Sequence, residues 1–302
     1  MSPPSGSSRP LEELRYALAE GQAAAPPSGL SGSIMSVALG ARRPGRPVPP
    51  PEAITPVRAF ERRRASFSAL LEELAPAEWL RPTIRDLTVQ GLVGHLVGVE
   101  RHFQSAVAGL DQVADVDHID ATQPFVAAQE GRPVGSTLAE WREATGRTIA
   151  VLSGAGHELD AEVAMHGMRM PLGALLLVRV FELWIHEEDV RRATHRPLSA
   201  PDAATLALMT DLAVRLLPIG LSRAGRVATG GVRLVLTGPG GGTWPAALDA
   251  GDGTAVRIVA DAAQFCRVVG DRVSDEDLAP VVTGDPGPAH DLLVAARALA
   301  LD

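Results

Sequence analysis

Glu182 and His186 lie four residues apart in "FELWIHEEDV", within one of the most apolar stretches of the sequence. Four residues make about one turn of an α-helix, so a helix there would present the carboxylate and the imidazole on one face. The segment "GLVGHLVGVERHF" places His95 on the apolar stripe of a second helical pattern. Polar groups on the inner faces of two helices are best explained jointly, as ligands that converge in the core of a helix bundle.

The three side chains would form a set of metal ligands with two imidazoles and one carboxylate. Three protein ligands leave one coordination position open, which is the pattern of catalytic rather than structural zinc. Zinc suits these donors, and Ni²⁺ and Fe²⁺ are compatible with the same ligand types. The alternative for Glu182 and His186 is a surface pair one helical turn apart, which would stabilise the helix by only about 0.2–0.5 kcal/mol. Taken alone, His95 would be a core histidine satisfied by one hydrogen bond.

Two further residues on the second of these helices are candidates for the chemistry. Asp189 lies about one turn beyond His186, where it can accept the other N–H of a ligating imidazole. Arg179 lies about one turn before Glu182, as its neighbour or as an anchor for a carboxylate on the substrate. Both would support the metal ligands without joining them.

The elements that must position these residues follow from apolar periodicity. Residues 55–197 contain four long helical patterns, which predicts a four-helix bundle. After Pro201, short β-branched strands with Gly-rich turns alternate with helices, which predicts a small α+β domain. The N-terminal segment holds ten of the 24 prolines and resembles a solvated linker. We therefore expect a flexible tail over residues 1–51, the bundle over 52–198 and the α+β domain over 199–302.

Composition excludes several classes of protein. The net charge of −8 argues against a nucleic-acid partner, which would need a basic face. All 28 basic residues are arginine, so neither a Schiff-base lysine nor a P-loop lysine is present. Cys266 is the only cysteine, lies in an apolar helical pattern, and is expected to be packed and inert. No apolar run approaches the roughly 20 residues of a membrane span, so we expect a cytoplasmic protein without a membrane partner, as a monomer or homodimer.

Several segments resemble one known family. The segment "WLRPTIRDLTVQGLVGHLVGVE" resembles the opening of the DinB-like metal-binding bundle of mycothiol-dependent maleylpyruvate isomerases, and "VRVFELWIHEEDVRRATHRPL" resembles the closing helix of that bundle. The segments "LVLTGPGGGTW", "FCRVVGDRV" and "VVTGD" resemble the sterol-carrier-like C-terminal domain of the same family. The resemblance covers roughly residues 55–300. Gly91 departs from the pattern, because the family often has an acidic residue there that completes a helix cap.

The resemblance implies both a ligand set and a cosubstrate. In the family, zinc is bound by a histidine of the second helix and by a glutamate and a histidine of the fourth, which correspond to His95, Glu182 and His186. The zinc binds and activates the sulfur of mycothiol, a low-molecular-weight thiol. The partners expected from the resemblance are therefore a small-molecule thiol and a small electrophilic substrate.

Two arginines of the C-terminal part are candidates for completing the site. Arg267 and Arg272 lie in "FCRVVGDR", and we expect at least one of them to face the metal cleft. An arginine fork suits a substrate carboxylate or the polar sugar portion of a thiol cofactor. The alternative for Arg272 is a surface position beside the acidic segment "DEDL". His102, two turns beyond His95, is expected to support the site and not to ligate.

The sequence leaves three functions open. The first is a metal-dependent enzyme that activates a thiol for S-transfer to an electrophile or for thiol-assisted isomerisation. Because the chain has no suitable cysteine, the sulfur would come from a cosubstrate. The second is a metal-dependent hydrolase with an activated water in the open position. The third is a non-catalytic regulatory protein that binds a metal or a thiol.

Overall fold

Long helices make up the first part of the described chain, as their capping residues and apolar periods predict. In the computed structural model, the described residues are 51–109, 118–154, 158–227, 231–247 and 254–300. The predicted tail over residues 1–51 therefore lies outside the described residues, apart from Pro51. The helices of this part are α1 Pro56–Glu72, α2 Val89–Val107, α3 His118–Ala127, α4 Val134–Gly154 and α5 Leu172–Ala193.

Helix α5 lies at the centre of the molecule. Fifteen of its 22 residues are buried, including Trp184 and the four consecutive residues from His186 to Asp189. A helix that is apolar on nearly every side must be covered on nearly every side, so this burial follows from its sequence. Helix α2 packs beside it and begins at Thr88, whose hydroxyl accepts a hydrogen bond from the Gly91 backbone N–H at 3.0 Å. The cap is thus formed even though Gly91 lacks the acidic side chain common in the family.

Helix α3 was not predicted, because it is short, only weakly amphipathic and interrupted by Pro124. It packs closely on α2 at two glycines. A Cβ atom on Gly94 would lie 2.8 Å from the backbone oxygen of Phe125, and one on Gly98 would lie 2.8 Å from the Phe125 ring. Only glycine allows this approach, which brings α3 within hydrogen-bonding distance of the candidate ligands on α2.

A small hairpin between α4 and α5 was also not predicted. Its strands, β1 Glu162–Met165 and β2 Met168–Pro171, are antiparallel. His166 and Gly167 form the turn, both with positive φ. Each strand has only four residues, which is too few for an alternation of apolar and polar side chains to be recognised in the sequence.

The C-terminal part is a four-stranded sheet covered by helices. The strand order is β4-β3-β5-β6, with β3 parallel to β5 and the other pairs antiparallel. The segment "TGPGGGTWP" forms the hairpin between β3 and β4, as its glycines predicted. The elements are α6 Ala203–Arg223, β3 Gly231–Thr237, β4 Gly242–Ala247, β5 Thr254–Asp261, α7 Ala262–Val269, α8 Asp275–Leu278, β6 Val281–Gly284 and α9 Pro286–Arg297.

The predicted fold class, a helical bundle followed by an α+β region, is confirmed. The predicted boundary between residues 198 and 199 stays a prediction, because residues 51–302 pack as one unit. The acidic segment "DEDL" has the composition of a solvated loop, but it forms the short helix α8, which Ser274 caps. Cys266 is fully buried as expected, and burial raises the pKa of its thiol strongly.

Helix α6 is long and apolar. Among the described residues it is the one helix with the length and hydropathy of a membrane span, and 61% of its most apolar stretch is buried inside the protein. A core helix of a soluble fold has the same properties. In the structure α6 lies against α9, and a Cβ atom on Gly220 would lie 2.1 Å from the backbone oxygen of Ala295.

Candidate metal centre

The side chains of His95, Glu182 and His186, here called the trio, meet between α2 and α5. One potential ligand atom from each lies within 4.8 Å of the other two. Nε2 of His95 is 3.2 Å from Oε1 of Glu182, and the rings of His95 and His186 lie 5.6 Å apart at 87°. Both histidines are buried and Glu182 is partly buried. The residues predicted as ligands are therefore brought together in the bundle core.

Helix α3 fixes the ring of His95. Nδ1 of His95 lies 2.7 Å from the hydroxyl oxygen of Thr122. That hydroxyl also lies 3.0 Å from the carbonyl oxygens of His118 and Ile119, to which it can donate its single proton. The Thr122 oxygen then accepts from the Nδ1–H of His95, which leaves the lone pair of His95 on Nε2, facing Glu182.

Asp189 fixes the ring of His186, as Thr122 fixes that of His95. Its Oδ2 lies 3.0 Å from Nδ1 of His186, so the carboxylate accepts that N–H and the lone pair of the ring is on Nε2. Arg272 in turn donates to both Asp189 oxygens, at 2.8 and 3.0 Å. Burial opposes the ionisation of Asp189, but the hydrogen bonds from His186 and Arg272 prevail and hold the pKa of this carboxyl below its usual range.

Arg179 restrains Glu182 from within the same helix. Its Nη1 pairs with Oε2 of Glu182, and its Nη2 donates to Oε1 of Glu100 at 2.9 Å. The other oxygen of Glu100 accepts from the Thr148 hydroxyl at 2.6 Å. Glu100 and Arg179 are both almost completely buried, so each needs the opposite charge of the other to remain there. Glu182 is thus held by one oxygen while its other oxygen faces His95.

This donor set fits a divalent metal ion. Each imidazole gives its Nδ1–H to an acceptor, which is the usual arrangement around metal-ligating histidines and which sets the tautomer that binds a metal. Two imidazole nitrogens and one carboxylate oxygen suit zinc among the borderline ions. Three protein ligands would leave a position open for a small molecule.

Residues 60–191 match the family described as the mycothiol maleylpyruvate isomerase N-terminal domain. These residues belong to that family. The match spans α2 and nearly all of α5, so all three members of the trio lie inside this maleylpyruvate isomerase-type domain.

Two solved structures share the fold of the chain. One is a mycothiol-dependent maleylpyruvate isomerase, with a TM-score of 0.55 and 17% identity over 76% of this chain and 92% of that one. The other is a histidine-to-alanine mutant of a mycothiol-dependent maleylpyruvate isomerase, with a TM-score of 0.51 and the same identity and coverage. At this identity the likeness shows the fold alone. No curated protein sequence matches the chain.

The arginines predicted from the C-terminal part both reach α5 of the isomerase-type domain. Arg272 is bound to Asp189 with its side chain only 11% exposed, so the alternative of a surface position beside "DEDL" is wrong. Arg267 donates to Glu188 at 2.6 and 3.0 Å and lies 5.4 Å from the Trp184 ring centre. The structure therefore brings Arg272 to the support of the trio, through Asp189, and pairs Arg267 with a neighbouring buried carboxylate of α5.

His102 lies outside the trio, as expected. Its Nδ1 is 3.2 Å from Nε2 of His166 in the β1–β2 turn. His118 links the two groups, since its ring centre lies 5.8 Å from that of His95 and 6.0 Å from that of His166. A row of five imidazoles thus extends from His186 to His102 along the inside of the domain.

Sequence reasoning missed several of these partners. Thr122 and His118 lie on the unpredicted helix α3, and His166 lies in the unpredicted hairpin. For Glu100 there was a signal: the apolar helices α2 and α5 each carry buried charge, and Glu100 is the acidic residue on α2. Opposite charges on two buried helices are expected to pair, which would have joined it to Arg179.

Glu182 lies between two cavities of the molecule. One, the apolar chamber, has a volume of about 580 Å³, including space open to solvent, on the side of α6 and α7, and Glu182 and His186 line it. The other, the histidine pocket, has a volume of about 360 Å³, also including space open to solvent, beside the β1–β2 hairpin, and His118, His166 and Arg179 are among its lining residues. Val178 lines both. The trio is therefore accessible from two chemically different sides.

Proposed function

We propose that this protein is an enzyme that uses a low-molecular-weight thiol, such as mycothiol, and a divalent metal ion held by His95, Glu182 and His186, with zinc the best fit. Its substrate would be a small electrophile that is isomerised with the help of the thiol or that accepts the sulfur by S-transfer. The observation that carries the proposal is the convergence of the trio beside two cavities, with Nδ1 of each histidine next to an oxygen that can accept its proton.

A divalent metal ion would supply the positive charge that turns a coordinated thiol into a thiolate at neutral pH. The chain's own residues have separate tasks. Thr122 and Asp189 hold the two imidazoles in orientation, and Arg179 restrains Glu182. The apolar walls beside Glu182 exclude water, which favours a sulfur nucleophile over hydrolysis.

The chain does not supply the sulfur itself. Cys266 is fully buried, and burial strongly raises the pKa of its thiol. A thiol that stays protonated and out of contact with solvent is not a nucleophile. A separate thiol cosubstrate is therefore needed, and the two cavities beside Glu182 are two places from which small molecules could approach the trio.

The family membership supports thiol-dependent isomerisation as the reaction class. In such a reaction the thiolate adds to a conjugated double bond, the resulting single bond rotates, and loss of the same thiolate restores the double bond. In S-transfer the same thiolate instead displaces a leaving group and stays on the product. The residues around the trio serve both reactions, so the choice between them depends on the electrophile.

The proposal is tested by joining metal analysis to a thiol-dependent assay. The wild-type protein is expected to bind one divalent ion per chain, and turnover of an electrophile is expected to require both metal and added thiol. His186→Ala should lose most of the metal and the activity. His290→Ala is the matched control, because His290 is exposed on α9 and should change neither. Unchanged metal content in His186→Ala, or turnover without any thiol, would contradict the proposal.

A further inference from the structure

The apolar chamber has an unusual lining for a site that handles small polar metabolites. Glu182 and His186, which belong to the trio, are the two polar side chains among its described lining residues. Its remaining wall is formed largely by apolar side chains of α5, α6 and α7. Prominent among these are Val178, Phe181, Ile185, Leu212, Leu216 and Val269.

A neighbouring cavity adjoins this chamber and is itself open to solvent. It has a volume of about 650 Å³, including space open to solvent, and shares Val178, Leu216 and Leu299 with the chamber. Arg169 of β2 and Arg223 at the end of α6 line it, and both are exposed. Neither arginine forms an ion pair with any residue that the structure describes, in contrast to Arg179, Arg267 and Arg272 around the trio.

We propose that the apolar chamber binds the electrophilic substrate, and that this substrate is an amphipathic carboxylate. Its hydrocarbon body would lie against the apolar wall with the reactive carbon near Glu182 and His186, and its carboxylate would bind Arg169 and Arg223 at the opening. This inference rests on the proposed function and adds the substrate class to it. Arginine is suited to the planar carboxylate because it can donate two parallel hydrogen bonds.

The cost of burying polar groups argues for this class of substrate. A short dicarboxylate in the chamber would place at least one ionised group against valine, leucine and phenylalanine side chains, without a hydrogen-bond donor. Such burial is strongly unfavourable. A hydrocarbon body instead gains free energy in proportion to the apolar surface it removes from water.

We place the thiol in the histidine pocket, so that the apolar chamber is available to the electrophile. The histidine pocket shares Val178 and Glu182 with the chamber, and its lining includes the imidazoles of His118 and His166 and the guanidinium of Arg179. These groups suit the hydroxyl and amide groups of a polar thiol. Two dissimilar substrates could thus approach Glu182 from two cavities, of which the histidine pocket carries more polar groups.

The test measures binding directly, by calorimetry on the full chain with and without metal. The probes are butanoate, octanoate and dodecanoate, the alcohols of the same lengths, and the short dicarboxylates maleate and fumarate. The affinity of the carboxylates should rise roughly fourfold for each buried methylene, because each contributes hydrophobic free energy. Octanoate should bind at least fivefold more tightly than octanol and than either dicarboxylate.

Matched pairs of variants show whether octanoate binds in the apolar chamber. Leu216→Gln should weaken octanoate binding at least fivefold, whereas Leu208→Gln should leave it within twofold. Leu208 is also half-buried on α6 but does not line the chamber. The double variant Arg169→Gln with Arg223→Gln should bring the affinity for octanoate down to that for octanol, whereas Arg215→Gln, an exposed arginine on the same helix, should not.

Three results would overturn the inference: an affinity that does not depend on chain length, tighter binding of maleate or fumarate, or equal binding of alcohols and carboxylates. Metal-free protein should still bind octanoate. If octanoate binds as described but no thiol-dependent turnover exists, the proposed function fails and the ligand class stands. If turnover requires metal and thiol but the probes do not bind, the substrate class alone is wrong.

Discussion

Arg272 binds both carboxylate oxygens of Asp189, with Nε 2.8 Å from Oδ1 and Nη2 3.0 Å from Oδ2. Asp189 in turn accepts the Nδ1–H of His186. A residue that follows α7, in the part of the chain outside the match to the isomerase-type family, therefore orients one of the candidate metal ligands on α5. The C-terminal part is thus coupled to the site as well as packed on it.

This relationship predicts a loss of metal affinity in Arg272→Gln. Without the guanidinium, Asp189 is less firmly held, and His186 loses part of its orientation. Removal of an outer partner of a metal ligand typically costs about 10–100-fold in affinity. Competition with a chelator measures the change, and Arg257→Gln is the control, since Arg257 is exposed on β5. Equal affinities in the two variants would show that Arg272 has no part in the site.

A second prediction concerns the buried pair of Glu100 and Arg179. Glu100→Gln should destabilise the fold by roughly 3 kcal/mol, because it removes one of the two charges that compensate a fully buried guanidinium. Urea unfolding of the metal-free protein measures this cost. Glu130→Gln, an exposed position after α3, should change the free energy of unfolding very little. A cost in Glu100→Gln no larger than in this control would mean that Arg179 is satisfied by Glu182 alone.

The close contact of α2 with α3 gives a third prediction. Gly94→Ala would place a Cβ atom 2.6 Å from Cγ of Gln129 and 2.8 Å from a backbone oxygen of α3. We expect it to push α3 away, to destabilise the protein by about 1–3 kcal/mol and to weaken the hold of Thr122 on His95. Gly135→Ala, in α4 with open space around it, should be neutral or stabilise the fold by up to about 1 kcal/mol. A neutral Gly94→Ala would refute the close approach.

A fourth prediction concerns pH. Hydrogen bonds from Arg196 and from the Ala75 backbone lower the pKa of Glu78 to about 2. Because the pKa is lower in the folded state than in the unfolded chain, Glu78 contributes stability above pH about 4.3 that is lost as the pH falls towards 2. A carboxyl titration followed by NMR should show this midpoint, and Arg196→Gln should move it back towards about 4.3. A midpoint near 4.3 in the wild-type protein would contradict the pairing.

The trio could be predicted from the sequence because one turn of helix fixes the spacing of Glu182 and His186, and the apolar stripe of α2 fixes the inward direction of His95. These are local properties of a helix, independent of what packs against it. The strands and the longer helices of the C-terminal part were predictable for the same reason, since their periods are regular and their turns carry glycine.

The partners of the site that lie far away in the sequence were not fixed by the period of any one helix, because they join distant segments. Thr122 reaches His95 over 27 residues, and Arg179 reaches Glu100 over 79. Both contacts depend on how helices pack and not on the period of one helix. Asp189 was predicted as a partner of His186 from its position on the same helix, whereas its bond to Arg272, 83 residues away, became visible only in the fold.

We propose that the trio holds a divalent ion to which an external thiol binds through sulfur. The most direct measurement is the absorption spectrum of the cobalt-substituted protein, recorded while mycothiol is added. We predict one cobalt ion per chain and a thiolate-to-cobalt charge-transfer band that grows to saturation with the thiol, is absent in His186→Ala and is unchanged in His290→Ala. A cobalt spectrum that does not respond to the thiol, or a band that persists in His186→Ala, would contradict the claim.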